Sequence, residues 1–147
     1  MSRWRDGRGL LVVAGGVGDG DGDGGRGAGG GVGGGAVGVP LEIASSYRAR
    51  TRGLLGRDGI DGALLLTPAG SVHTFGMRFA IDVAYLDRGL GVIAVRTMRP
   101  GRLGLPRLRS RHVLEAEAGA MEGWGVRAGA RIEIRGDPGE RGSAQSA

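Results

Sequence analysis

Ile81-Asp82-Val83-Ala84-Tyr85-Leu86, closed by Asp87-Arg88-Gly89, is the stretch whose reading decides the fold. Alternation puts Ile81, Val83 and Tyr85 on one face and Asp82, Ala84 and Leu86 on the other, which is the two-residue period of a β-strand. Both faces are apolar except at Asp82. Asp87-Arg88-Gly89 reads as a hairpin turn into a second strand, Val92-Ile93-Ala94-Val95. Working outward, Ala63-Leu64-Leu65-Leu66-Thr67 is a short apolar run stopped by Pro68 and Gly70, and Val113 to Ala118 is another. In Arg131 to Ile134, Ile132 and Ile134 are expected to face in while Arg131 and Glu133 face out. Leu10–Ala14 and Val39–Ile43 complete the set. One helix is predicted over Ser45–Leu55, with Ser45 or Ser46 as N-cap and Gly56 as its stop. Strands this short and closely spaced predict a mainly β chain, a small antiparallel sandwich or barrel-like domain with one short helix.

The chain has 147 residues and a mass of 15.0 kDa, enough for one domain with some unstructured sequence. It divides into an N-terminal segment, 1–14, that includes the first strand; a Gly-rich tract, 15–38; a body, 39–135; and a tail, 136–147. The tract holds 15 glycines in 24 positions and almost nothing that could pack, so a flexible inter-strand loop is expected. The breaker-rich tail, Gly136-Asp137-Pro138-Gly139, is expected to be disordered. With no cysteine there is no disulfide framework, thiolate zinc site or thiol nucleophile. No apolar run approaches the roughly 18 residues of a membrane span. The apolar run Leu10–Ala14 is too short for a secretory signal and is followed by Asp19, Asp21 and Asp23, which makes the cytoplasm the expected location.

All 20 basic residues are arginine, and both lysine and asparagine are absent, the mark of a GC-rich genome's codon bias. The net charge of +5 is concentrated in the body. Arg96, Arg99, Arg102, Arg107, Arg109 and Arg111 form a run without an acid, but aromatic residues are only 4% of the chain and none interrupts it. A solvated basic loop is expected there, and a nucleic-acid partner is not.

Several motifs fail on their context. G-x-G-x-x-G occurs at Gly22–Gly27 and Gly25–Gly30, with no helix start after it to hold a pyrophosphate. Asp19-Gly20-Asp21-Gly22-Asp23-Gly24 opens like a calcium loop, but the twelfth position is Gly30 where a bidentate glutamate is needed. Two histidines, His73 and His112, exclude a three-histidine metal site. No cofactor and no resident metal are expected. The polar cluster within Ser71–Asp82, notably His73, Thr74, Met77, Arg78 and Asp82, is the richest in chemistry. Asp82 reads either as a structural carboxylate, accepting backbone N–H bonds or pairing with a buried arginine such as Arg52 or Arg78, or as part of a site.

Arg50-Thr51-Arg52-Gly53-Leu54-Leu55-Gly56-Arg57, then His73 through Asp87, then Val113-Leu114-Glu115-Ala116-Glu117-Ala118-Gly119 with Trp124-Gly125-Val126 and Gly129, resemble three ordered motifs of the domain of unknown function 192 family. The resemblance covers about residues 39–135, with departures at Gly76, Arg78, Ala80 and Ala130. It implies a small, mainly β sandwich or barrel with a short helix, and no established activity. The positions that match the motifs are Arg52, Gly53, Met77, Asp82, Glu115 and Gly119; the two glycines read as backbone requirements and Met77 as a core filler.

The expected function is a non-enzymatic module binding a small ligand or a protein in a cleft near His73, Arg78 and Asp82, with Arg52, Met77 and Glu115 as further candidates. The alternative is a small hydrolase using Asp82 or Glu115 as a base with His73. A role as accessory protein of a secretion or pilus system is a third expectation, from family context.

Overall fold

The computed structural model of the protein describes residues 4–14 and 38–136. Most of the Gly-rich tract and the tail after Gly136 lie outside these residues, as do the glycine and aspartate motifs within the tract. Seven strands form one curled sheet: β1 (Gly7–Ala14), β2 (Val39–Ala44), β3 (Ala63–Leu66), β4 (Ile81–Leu86), β5 (Val92–Met98), β6 (His112–Glu117) and β7 (Arg131–Gly136). Their order is β5-β4-β6-β3-β2-β1-β7. The sheet is mixed. Every neighbouring pair is antiparallel except β2 and β3, which run parallel because the helix α1 (Tyr47–Arg52) supplies the crossover between them. A second short helix, α2 (Ala120–Trp124), follows β6.

The curl brings the outer strands back toward each other. Val92 N–H donates to the Ala130 carbonyl at 2.8 Å and Ile132 N–H to the Leu90 carbonyl at 3.0 Å, so the edges of a half-barrel are partly stitched together and shielded. Strand alternation then makes two apolar layers. On the inner face Leu11, Leu41, Leu65, Leu86, Leu114 and Ile132 pack together with Met121 of α2. On the outer face Leu64, Leu66, Ile81, Val83, Tyr85 and Val113 pack under Leu54, Val72 and Met77, which belong to the segments covering that face. All six residues of β4 are buried, which is why both of its faces read as apolar.

Local chemistry fixes α1 over the outer face. Ser46 is its N-cap, and its hydroxyl accepts from Ala49 N–H at 3.1 Å. Asp6, just before β1, accepts from Ser45 and Ser46 N–H at 2.6 and 2.8 Å. Those bonds, with the Ser46 hydroxyl foremost, hold the Asp6 carboxyl down at about 2. Arg57 grips Glu42 of β2 through both guanidinium NH groups, at 3.3 and 2.8 Å. The helix stops at Gly53, whose φ of 45° and ψ of −128° lie outside the territory of side-chain-bearing residues. Gly53→Ala is expected to lower stability by about 1–3 kcal/mol, read as a drop in the thermal midpoint.

Candidate functional site

The segment from Ser71 to Phe79 is the lid of the outer layer, and one buried hydroxyl anchors it. Thr74, fully buried, donates through Oγ1 to the Arg99 carbonyl at 2.6 Å and accepts there from Arg102 N–H at 2.8 Å. Between this lid, α1 and the sheet lies a cleft of about 100 Å³, lined among others by Arg50, Arg52, His73, Met77 and Glu115.

Glu115 forms the floor. In the middle of β6 it stands between Leu64 of β3 and Val83 of β4, on the apolar outer face, and is only 3% exposed. Its carboxyl makes no hydrogen bond or ion pair with any described residue. Burial without compensation disfavours the charged form, and the carboxyl is lifted from its ordinary 4.5 to about 7. A side chain in that state is neutral for much of its time near physiological pH and can donate as well as accept.

The walls are cationic and apolar. Arg50 reaches the Pro68 carbonyl through Nη1 at 3.0 Å, while its Nε is buried with no partner among the described residues. Arg52 is exposed and takes part in no hydrogen bond or ion pair with a described residue. His73 is also exposed, stacked on Phe75 with ring centroids 5.3 Å apart. Met77 packs into the core beneath, 8% exposed. Of the predicted residues, then, Arg52, His73, Met77 and Glu115 meet at one cleft.

Arg78 and Asp82 stand elsewhere. Arg78 is exposed and pairs with Asp58 at 3.1 Å. Asp82 has no arginine partner. It lies on the inner face opposite Ala116 and beside Thr97, 4% exposed, and it is saturated: Thr97 Oγ1 donates to it at 2.7 Å, Gly119 N–H at 2.9 Å and Met121 N–H at 3.2 Å. It therefore pins the turn from β6 into α2, at whose start Gly119 takes φ 90°. His73 and His112 line different concavities. Among the described residues no three His, Asp or Glu side chains come together as a metal site, and no helix is long and apolar enough to cross a membrane.

Arg50 and Thr74 are two residues of this region that stand outside the site predicted above. Arg50 is legible only as the first position of the Arg50–Arg57 motif, two residues before Arg52. Thr74 carried no signal beyond its place in a polar cluster.

The sequence profile of the DUF192 family, described as uncharacterized ACR, matches residues 32–134. A UPF0127 protein of Pyrococcus horikoshii is 31% identical over 87 residues, which span 56% of this chain and 76% of that one. A UPF0127 protein of Pyrococcus abyssi is 29% identical over 98 residues, spanning 63% and 84% respectively. Among solved structures, a candidate transcription regulator of Sinorhizobium meliloti is similar at a TM-score of 0.65 and 15% identity, covering 90% of this chain and 98% of that chain. A protein of unknown function from Novosphingobium aromaticivorans gives 0.63 at 15% identity, covering 84% and 83%. Similarity at this identity establishes a shared fold and carries no function.

Proposed function

The chain belongs to the DUF192 family, and from that premise we propose that it is a binding module for a small anion, such as a carboxylate, or for the anionic end of a longer molecule, taken up in the cleft floored by Glu115. The observation that carries this reading is the pairing of a buried, unpartnered carboxyl held at about 7 with the arginines Arg50 and Arg52 on the same cleft. Protonated Glu115 donates a hydrogen bond to the anion, and the guanidinium groups balance its charge. A cation is disfavoured there by the same two arginines.

The proton fixes the sign of the pH dependence. An anion beside Glu115 demands the neutral form, so affinity follows the protonated fraction and falls about tenfold between pH 6 and pH 8. A thermal-shift screen of small carboxylates and oxoanions, followed by calorimetry at the two pH values, tests this. The wild type is expected to bind more tightly at pH 6; Glu115→Gln is expected to bind with no pH dependence, and Arg52→Ala about tenfold more weakly. Tighter binding at pH 8, or preference for amines, would refute the reading.

One observation favours a second reading. A carboxyl titrating near 7 is also poised for proton transfer, so hydrolysis assisted by Glu115 and His73 is the alternative. Turnover of ester or amide substrates, abolished by Glu115→Gln with binding retained, would select it.

A further inference from the structure

The connection between β5 and β6 combines two properties that a merely solvated loop does not need. With the end of β5 included, residues 96–111 contain six arginines and no acid. Elsewhere the chain's fourteen arginines face fifteen acids, so the excess positive charge of the whole protein resides in this one segment. The same segment displays Leu103, Leu105 and Leu108, at 71%, 79% and 93% exposure. Single exposed leucines are ordinary; three within six residues, interleaved with arginines, form a patch.

That exposure is not the result of a loose backbone. Gly104 N–H donates to the Val72 carbonyl at 2.8 Å, Arg107 N–H to the Gly70 carbonyl at 2.9 Å, and Ser110 Oγ to the Ala69 carbonyl at 3.1 Å. With the Thr74 anchor described above, these bonds tie the loop to the lid segment and hold the leucines outward. Beside Leu103 and Leu105 runs a groove of about 510 Å³ bordered by Tyr85 and by Arg96, Arg99, Arg102 and Arg107, with no acid among its lining residues. Arg107 lies over the Tyr85 ring, 4.8 Å from its centre, and its Nε is buried with no partner among the described residues.

We propose that this loop is a peripheral attachment surface for an anionic lipid bilayer. The arginines take headgroup phosphates in and around the groove, and Leu103, Leu105 and Leu108 enter the boundary of the acyl region. Basic and apolar side chains presented on one edge are the combination that gives interfacial binding, the charges selecting anionic lipid and the apolar groups supplying depth. A nucleic acid would use the arginines alone, would leave the leucines in water, and would find no aromatic in the loop on which to stack a base.

Co-sedimentation of the full chain with phosphatidylcholine vesicles, with and without roughly one-third phosphatidylglycerol, tests the assignment. Binding is expected to the anionic vesicles, to weaken with salt, and to be absent on the neutral ones. Leu103→Ser with Leu105→Ser and Leu108→Ser leaves the charge unchanged and is expected to weaken binding at least about tenfold; Arg99→Gln with Arg102→Gln and Arg109→Gln is expected to weaken it comparably. All six positions are exposed, and an unchanged thermal midpoint verifies that each variant folds. No sedimentation with anionic vesicles would overturn the proposal. So would a leucine variant that binds as well as wild type, or capture of duplex DNA or heparin with the vesicles ignored.

Discussion

Asp82→Ala is expected to destabilise the protein by about 3–5 kcal/mol, the largest single effect among its polar residues. The substitution removes a carboxylate that accepts three hydrogen bonds and leaves the Gly119 N–H and the buried Met121 N–H without their acceptor at the start of α2. Each bond to a charged acceptor contributes about 1.5–3 kcal/mol, and an orphaned buried donor costs about 1–3; these contributions overlap, which sets the range. Asp82→Asn keeps one acceptor oxygen and is expected to lose about half as much. Urea unfolding with an unchanged denaturant slope is the measurement. Because Asp82 sits on the inner face, any surviving fold keeps its cleft, and anion binding by Asp82→Asn should match wild type. A loss below about 1 kcal/mol in Asp82→Ala would contradict the role given to this carboxylate.

Glu115→Gln is expected to act in the opposite direction, and only at higher pH. The Glu115 carboxyl is held at about 7 in the folded protein against 4.5 ordinarily, so the folded state binds its proton more tightly than the unfolded chain does. The stability this confers is fully present below pH 4.5 and is lost as pH rises through 7. Glutamine cannot ionise. The variant should therefore match wild type near pH 4.5 and exceed it at pH 8 by roughly 3 kcal/mol. Unfolding curves for both proteins at the two pH values check this, and parallel curves at every pH would refute it.

These two carboxylates show what the sequence could and could not convey. Asp82 is the one charged residue in an otherwise apolar β4, and alternation predicts that it is buried; Glu115 shares β6 with His112 and Glu117, and alternation says less about its place. Their fates differ because of partners supplied from far along the chain. Asp82 finds Thr97 through the register of the β4–β5 hairpin, which the turn at Asp87–Gly89 already implied, and finds Gly119 and Met121 through a helix too short to announce itself by periodicity. Glu115 finds Leu64 and Val83 because β6 is inserted between β3 and β4, an order that local pattern does not encode.

The strands and the capped helix were legible for local reasons: alternation, Pro68 and Gly70 as stops, Ser45 or Ser46 as cap, although the helix ends at Gly53 and not at Gly56. The parallel pairing of β2 with β3 was not, because it depends on the path taken by α1 and the loop after it. Of the motif Arg50–Arg57, the structure accounts for Arg50, Gly53, Leu54 and Arg57 through partners or packing. Arg52 lines the same cleft as Arg50 and, unlike Arg50 and Arg57, has no hydrogen-bond or ion-pair partner among the described residues, a distinction visible only once the others are placed.

The most direct test follows the side-chain carboxyl carbon of Glu115 by NMR as the protein is titrated from acid to mildly alkaline pH, with and without a saturating small carboxylate. A midpoint near 7 that moves upward in the presence of the anion is the result expected of a neutral donor at the floor of an anion cleft. A midpoint near 4.5, or one that an anion leaves unmoved, would contradict it.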